Sequence, residues 1–234
     1  MNSVEIGNAR NGSVLILHGW TLSGHDSWLP VAEQLSTNGI SSTLIDLPGF
    51  GKSPAPTDIW GAQDYATHVA EWIRDTNKSF DAIVGHSFGG AVASQIASSY
   101  PSMVKKLVLV APAIVREPAS VRTSRLSNPF FSPLKTVYRV VFGSRDYNQS
   151  KGIMKDIMKR VIHEDLSSSL QNISSNTLLI WGTEDTYTPY KYAQLVSEGI
   201  NGSELKTYQG INHGIHLHAN NKLVDDITTF IATT

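Results

Sequence analysis

Gly85-His86-Ser87-Phe88-Gly89-Gly90 is the stretch of this 234-residue sequence whose residue types speak most directly of chemistry. A serine with glycine two places before and two places after it, set between a short apolar run and a small-residue run, fits the G-x-S-x-G turn that joins a strand to a helix. Such a turn holds the serine on a strained backbone, so that its hydroxyl projects into a cleft, and only small residues fit around it. The following helix N-terminus adds N–H donors and a dipole that favour a developing anion. The bland alternative is an ordinary glycine-rich turn.

A serine nucleophile needs a base and an orienting acid. His213, in Gly210-Ile-Asn-His213-Gly214, follows the strand-like run Glu204–Tyr208; Asp185, in Trp181-Gly-Thr-Glu-Asp185, follows Thr177–Trp181. The order Ser87, Asp185, His213 is the one expected with this elbow. Neutral imidazole takes the serine proton, and the carboxylate fixes its tautomer and stabilises the imidazolium. His216 and His218 compete as bases, and Glu184 competes as the acid. Read as a metal site, His213-x-x-His216-x-His218 lacks a nearby carboxylate and a second cluster, so no metal is expected. His86 is expected to pack. The oxyanion hole is assigned to two backbone N–H groups, those of Phe88 and of Trp20 in the loop His18-Gly19-Trp20. His18 is read as a buried histidine bonded to that loop, with a catalytic-base role as the competing idea.

These residues need a scaffold that brings strand ends together. Apolar, β-branched runs at Ser13–Leu17, Ile40–Ile45, Ala82–Val84, Lys105–Val110, Thr177–Trp181 and Glu204–Tyr208 predict strands. Helical spacing predicts helices over Ala62–Thr76, Phe88–Tyr100, Tyr190–Ser197 and Asn221–Ile231. Alternation of this kind predicts an α/β fold, a mostly parallel sheet with helices on both faces and ligands at the carboxyl ends of its strands. About 12 residues precede the first of these strands, room for one short strand near Val4–Ile6 and not for a pair, giving about seven strands. Gly49-Phe-Gly-Lys-Ser53 imitates half a P-loop, but Asp46 stands where glycine is needed and Pro54-Ala-Pro56 follows, so Asp46 to Ser53 is read as a structural turn.

Residues 112–172 interrupt the alternation with four prolines and short helical patterns, such as Leu134–Phe142 and Gly152–Ile162. They are expected to form a helical cap, leaving 1–111 and 173–234 as the core. Residues 113–165 carry a net charge of +5, against −6 for the remainder. Either these are solvated helix faces, with Lys151, Lys155 and Lys159 along one stripe, or some of Arg116, Arg122, Arg125, Arg139 and Arg145 line the cleft mouth and attract carboxylates.

A net charge of −1 leaves no global basic field for nucleic acid, and the absence of cysteine excludes disulfides, thiol nucleophiles and Cys-ligated zinc. With 41% hydrophobic residues the chain can bury a large core. Residues 1–12 lack the apolar segment of a secretory signal, and no apolar run is long enough to span a membrane; a cytoplasmic monomer or homodimer is expected.

His18-Gly19, Asp46-x-x-Gly49-x-Gly51-x-Ser53, Gly85-His86-Ser87-x-Gly89-Gly90, Gly182-x-x-Asp185 and Gly210-x-x-His213 together resemble the α/β-hydrolase fold superfamily, in its capped serine hydrolase and esterase branch. The resemblance spans nearly the whole chain. It implies Ser87 as nucleophile, Asp185 as acid, His213 as base and Trp20 and Phe88 as oxyanion donors. The expected activity is hydrolysis of a small-molecule carboxylic ester, thioester or lactone without a cofactor. The alternatives are a C–C bond hydrolase or lyase using the same triad, and a ligand-binding member of the fold without chemistry.

Overall fold

The structure, a computed structural model, describes residues 1–116 and 152–233. Seven strands form one sheet: β1 (Ser3–Ile6), β2 (Gly12–Leu17), β3 (Ile40–Ile45), β4 (Ala82–His86), β5 (Lys106–Val110), β6 (Asn176–Gly182) and β7 (Glu204–Tyr208). Their order is β1-β3-β2-β4-β5-β6-β7, with β1 antiparallel to β3 and every other pair parallel. Seven strands with a single short antiparallel one at the edge match the expected sheet.

Alternation along the strands divides the core into two layers. Leu15, Leu17, Ile83, Leu107 and Leu109 face one side, where they meet α2 (Ala62–Asp75), α3 (Phe88–Ser99), α4 (Ile153–Val161) and α5 (Lys191–Gly199). Val14, Ile16, Val84, Val108 and Val110 face the other, against α1 (Leu29–Thr37), the short α6 (Ile215–His218) and α7 (Asn220–Ala232). Tyr65, Val69 and Ile73 recur on α2 at helical spacing and are all buried, which is why this otherwise polar segment docks as a helix.

The connections reverse direction between β2 and β4, the neighbours at the centre of the sheet. A crevice opens at such a switch point, beyond the carboxyl ends of the strands. Leu17 is in register with Gly85, His86 with Val110, Val110 with Ile180 and Gly182 with Tyr208, so the loops after β2, β4, β5, β6 and β7 leave along one edge.

The segment from 112 onward leaves the sheet after β5 and returns to β6. Its two stems are clasped: the N–H of Leu166 donates to the Ile114 carbonyl at 3.0 Å, and that of Arg116 to Asp165 Oδ2 at 2.8 Å. The expected helix over Gly152–Ile162 is α4, which buries Met154, Ile157, Met158 and Val161. The expected helix Leu134–Phe142, and Arg122, Arg125, Arg139, Arg145 and Lys151, lie outside the described residues. Among the described residues, no helix is long and apolar enough to cross a membrane.

Candidate active site

Ser87 stands between the end of β4 and the start of α3 with φ +51° and ψ −113°, a conformation that non-glycine residues rarely adopt. Strain of this kind costs about 1–3 kcal/mol and persists only when the surroundings impose it. Here they do. The Ser87 N–H donates to the Val110 carbonyl at 3.0 Å, and its own carbonyl accepts from Ala91 at 3.0 Å and Ala113 at 2.9 Å. The flanking glycines answer to close approach: a Cβ on Gly85 would lie 2.5 Å from the Gly89 carbonyl oxygen, and one on Gly89 would lie 2.3 Å from that of Leu17. A side chain at either position would push the turn off the sheet.

β6 and β7 deliver Asp185 and His213 to the same edge, and the two side chains meet: Nδ1 of His213 is 2.7 Å from Oδ2 of Asp185. Asp185 is buried. Its Oδ1 accepts the backbone N–H groups of Tyr187 and Thr188, each at 2.8 Å, and its Oδ2 lies 2.8 Å from the Thr188 hydroxyl. With Oδ1 taken by two backbone donors, Oδ2 is the acceptor that His213 Nδ1–H meets, and that tautomer leaves a lone pair on Nε2. Tyr187 stacks on the imidazole, centroids 5.0 Å apart and planes 25° apart. Among the described residues no hydrogen bond joins Ser87 Oγ to His213; both line one cavity of about 480 Å³ at the carboxyl edge of the sheet.

Of the competing side chains, His216 and His218 line the same cavity and Glu184 does not. Glu184 is exposed. His218 is exposed as well, while His216 is buried with its ring flat against Trp28, centroids 4.9 Å and planes 5° apart. Burial lowers the His216 pKa to about 4, with His213 and His218 adding to the effect. His18 is fully buried behind the loop: Nδ1 donates to the Gly19 carbonyl at 2.6 Å and Nε2 accepts from the Leu47 N–H at 3.0 Å. Burial brings its pKa down to about 4, so it is the neutral loop-bonding histidine expected. His86 does more than pack, since its Nε2 donates to the main-chain carbonyl of His213 at 3.1 Å. Burial, then His216 and His213, hold its pKa well below the usual value.

Trp20 and Phe88 line the cavity beside Ser87, and their rings meet edge to face at 5.3 Å. Gly19 lets the loop close on the elbow; a Cβ there would lie 2.9 Å from His86 Nδ1 and 3.3 Å from Ser87 Cβ. Asp46 is the hub of the turn read from Asp46 to Ser53: its carboxylate accepts from His25 N–H, His25 Nδ1, Lys52 N–H and Asn2 Nδ2, at 2.6 to 2.9 Å. Burial alone would raise its pKa, but the bonds from Lys52, His25 and Asn2 hold it below the usual carboxylate value.

Sequence reasoning missed Thr188, Tyr187 and the His86 contact. Asp185-x-x-Thr188 does carry a signal, because an aspartate followed at this distance by threonine tends to bond its own downstream backbone.

A parallel sheet with one antiparallel edge strand, a serine elbow after a central strand, and an acid and a histidine after the last two strands define the α/β-hydrolase class. The chain belongs to the alpha/beta hydrolase fold family, whose profile matches residues 12–151; residues 159–234 match that of the TAP-like proteins. Over 101 residues it is 35% identical to a pimeloyl-[acyl-carrier protein] methyl ester esterase of Pseudoalteromonas atlantica, a match covering 42% of this chain and 36% of that protein, so that it spans about a third of this relative. The esterase of Exiguobacterium antarcticum superposes with a TM-score of 0.80 at 20% identity, over 99% of this chain and 95% of that one. A meta-cleavage product hydrolase of Pseudomonas fluorescens IP01 does so with 0.73 at 17% identity, over 98% and 93%. At these identities the two structures speak for the fold.

Proposed function

We propose that this hydrolase-fold protein is a serine hydrolase of small carboxylic esters. Ser87 Oγ passes its proton to His213 Nε2 as it attacks the acyl carbon. The backbone N–H groups of Trp20 and Phe88 receive the developing oxyanion. The alcohol leaves with the proton held by His213, and the same imidazole then activates the water that releases the acid. Asp185 keeps the Nδ1 proton in place throughout. The observation that carries this reading is the Asp185–His213 contact at 2.7 Å beside a strained Ser87, with His213 and Ser87 on one cavity. The likeness to a methyl ester esterase favours esters within the class.

We also propose that 112–172 serves as a cap over the core formed by 1–111 and 173–234. Support comes from α4, whose Met158 and Val161 line the cavity. The test is labelling by a fluorophosphonate, followed by a screen of p-nitrophenyl esters of increasing chain length beside lactones, thioesters and a vinylogous 1,5-diketone. Labelling at Ser87 with ester turnover is expected. Turnover of the diketone alone would make the protein a C–C hydrolase, and neither labelling nor turnover would make it a binding protein.

A further inference from the structure

Arg116 stands on the cavity that Ser87 lines, and among the described residues it has no acidic partner for its side chain. Arg116 lines this cavity beside Met158, Val161, Ile162 and Leu166, a mostly apolar wall that also carries Glu164. The guanidinium is fixed by backbone: Nε donates to the Ile162 carbonyl at 3.0 Å and Nη1 to its neighbour Val115's at 3.2 Å. Among the described residues no carboxylate lies within ion-pair distance of it.

The two nearby acids are engaged otherwise. Asp165 takes the Arg116 main-chain N–H on Oδ2, and the N–H and hydroxyl of Ser167 on Oδ1. Glu164, which also lines the cavity, holds Arg160 Nε on Oε1 at 3.0 Å and the Ala62 N–H on Oε2 at 2.9 Å. Among the described residues nothing takes Nη2 or the second Nη1 hydrogen of Arg116, which are thus left, already oriented, for a ligand. Burial pulls its pKa below the usual guanidinium value, with Tyr192, Asp165 and Glu164 acting the other way through space. An anion in the cavity would relieve that penalty.

We infer that Arg116 is a specificity-determining residue that binds a free carboxylate at the far end of the substrate from the bond Ser87 attacks, so that the preferred substrates are half-esters of dicarboxylic acids or similarly anionic esters. The inference rests on the ester-hydrolase reading of the same cavity. A guanidinium fork matches a carboxylate in geometry as well as charge, which a lysine at the same place would not. Steering by the wider cationic surface is a weaker effect than this contact, because it is screened by salt.

The test separates binding from chemistry. In Ser87→Ala protein, binding of monomethyl and dimethyl esters of straight-chain diacids of about four to eight carbons is measured by calorimetry. The half-ester is expected to bind about tenfold to a hundredfold more tightly than its diester at the best length, as charge-assisted hydrogen bonds predict. Adding Arg116→Gln should remove the preference, with the half-ester losing about tenfold or more in affinity beyond what the diester loses. Equal affinities in the Ser87→Ala protein overturn the assignment; so does a preference that survives Arg116→Gln, or an equal loss for both ligands, which marks a structural role. If Arg116→Gln does not fold, Arg116→Lys decides: the lost fork must shrink the preference several-fold, and no change overturns it. Fluorophosphonate labelling of the wild-type protein runs alongside. Labelling without a carboxylate preference sinks this inference alone, and a carboxylate preference without labelling sinks the hydrolase reading alone.

Discussion

His86 Nε2 donates to the main-chain carbonyl of His213 at 3.1 Å, so the residue before Ser87 holds the backbone of the histidine that meets Asp185. The two rings lie 4.8 Å apart. This bond spans β4 and the loop after β7, elements that share no strand pairing. His86→Gln keeps a donor on a similar stem, whereas His86→Leu removes it. His86→Leu is expected to lower kcat about tenfold with little change in KM, and His86→Gln to recover most of the loss. Equal rates for the two variants would show that the bond does not position the base.

Ser87→Ala and His213→Ala should each abolish ester turnover by about 10⁴-fold or more, since members of a triad act as a unit. Ser87→Gly separates strain from chemistry. It is equally inactive, yet relief of the positive φ should offset the added chain entropy and raise the Tm by about 2–4 °C. A fall in Tm would mean that the elbow is not strained.

Asp185→Asn should cost roughly 10³- to 10⁴-fold in kcat by admitting the wrong imidazole tautomer, while Glu184→Gln stays near wild type. Thr188→Val removes a hydroxyl 2.8 Å from Asp185 Oδ2 and should cost about tenfold in kcat and about 1 kcal/mol in stability. Steady-state kinetics and urea unfolding measure the two effects independently.

Acid should destabilise this fold in two steps. His18 and His216 have folded pKa values near 4, below the usual unfolded value of about 6.5. The unfolded chain therefore binds the extra protons first, and the stability these rings contribute at neutral pH is lost as the pH falls from about 6.5 towards 4. Each contributes on the order of 3 kcal/mol over that window. The carboxylates of Asp46, Asp81, Asp165 and Asp226, held below their usual values, add their loss at lower pH. His216→Phe keeps the stack on Trp28 and removes a buried Nδ1 that has no partner among the described residues. Urea midpoints of this variant should fall less between pH 7 and 5 than those of the wild type.

The sheet was legible because its strands are short β-branched runs closed by glycine, proline or aspartate, so that Ile40–Ile45 and Glu204–Tyr208 end where the spacing predicts. The elbow was legible because the chain cannot turn there without Gly85 and Gly89. What could not be read were contacts made by tertiary packing alone: Tyr187 on His213, His216 on Trp28, and His86 reaching a carbonyl 127 residues away. The helix Ile215–His218 was also missed, being too short to show a period. Arg116 was one of five arginines that the sequence could not tell apart. In the structure Arg116 lines the cavity with its guanidinium on the carbonyls of Val115 and Ile162, and the other four lie outside the described residues.

The clasp between Ile114 and Leu166 has a consequence for how this chain can vary. Because the excursion departs and returns through adjoining hydrogen-bonded stems, its middle can lengthen, shorten or be exchanged at an entropic cost that grows only slowly with length. Nothing in the pairing of Val110 with Ile180 has to change when it does. The clasp makes a socket in which α4, packed into the core through Met154, Ile157 and Val161, stays as a fixed part while the stretch before it can be exchanged. A short turn spliced in place of residues 117–151, with α4 kept, should leave a folded core with its Ser87 hydroxyl still presented and should widen the range of esters it accepts.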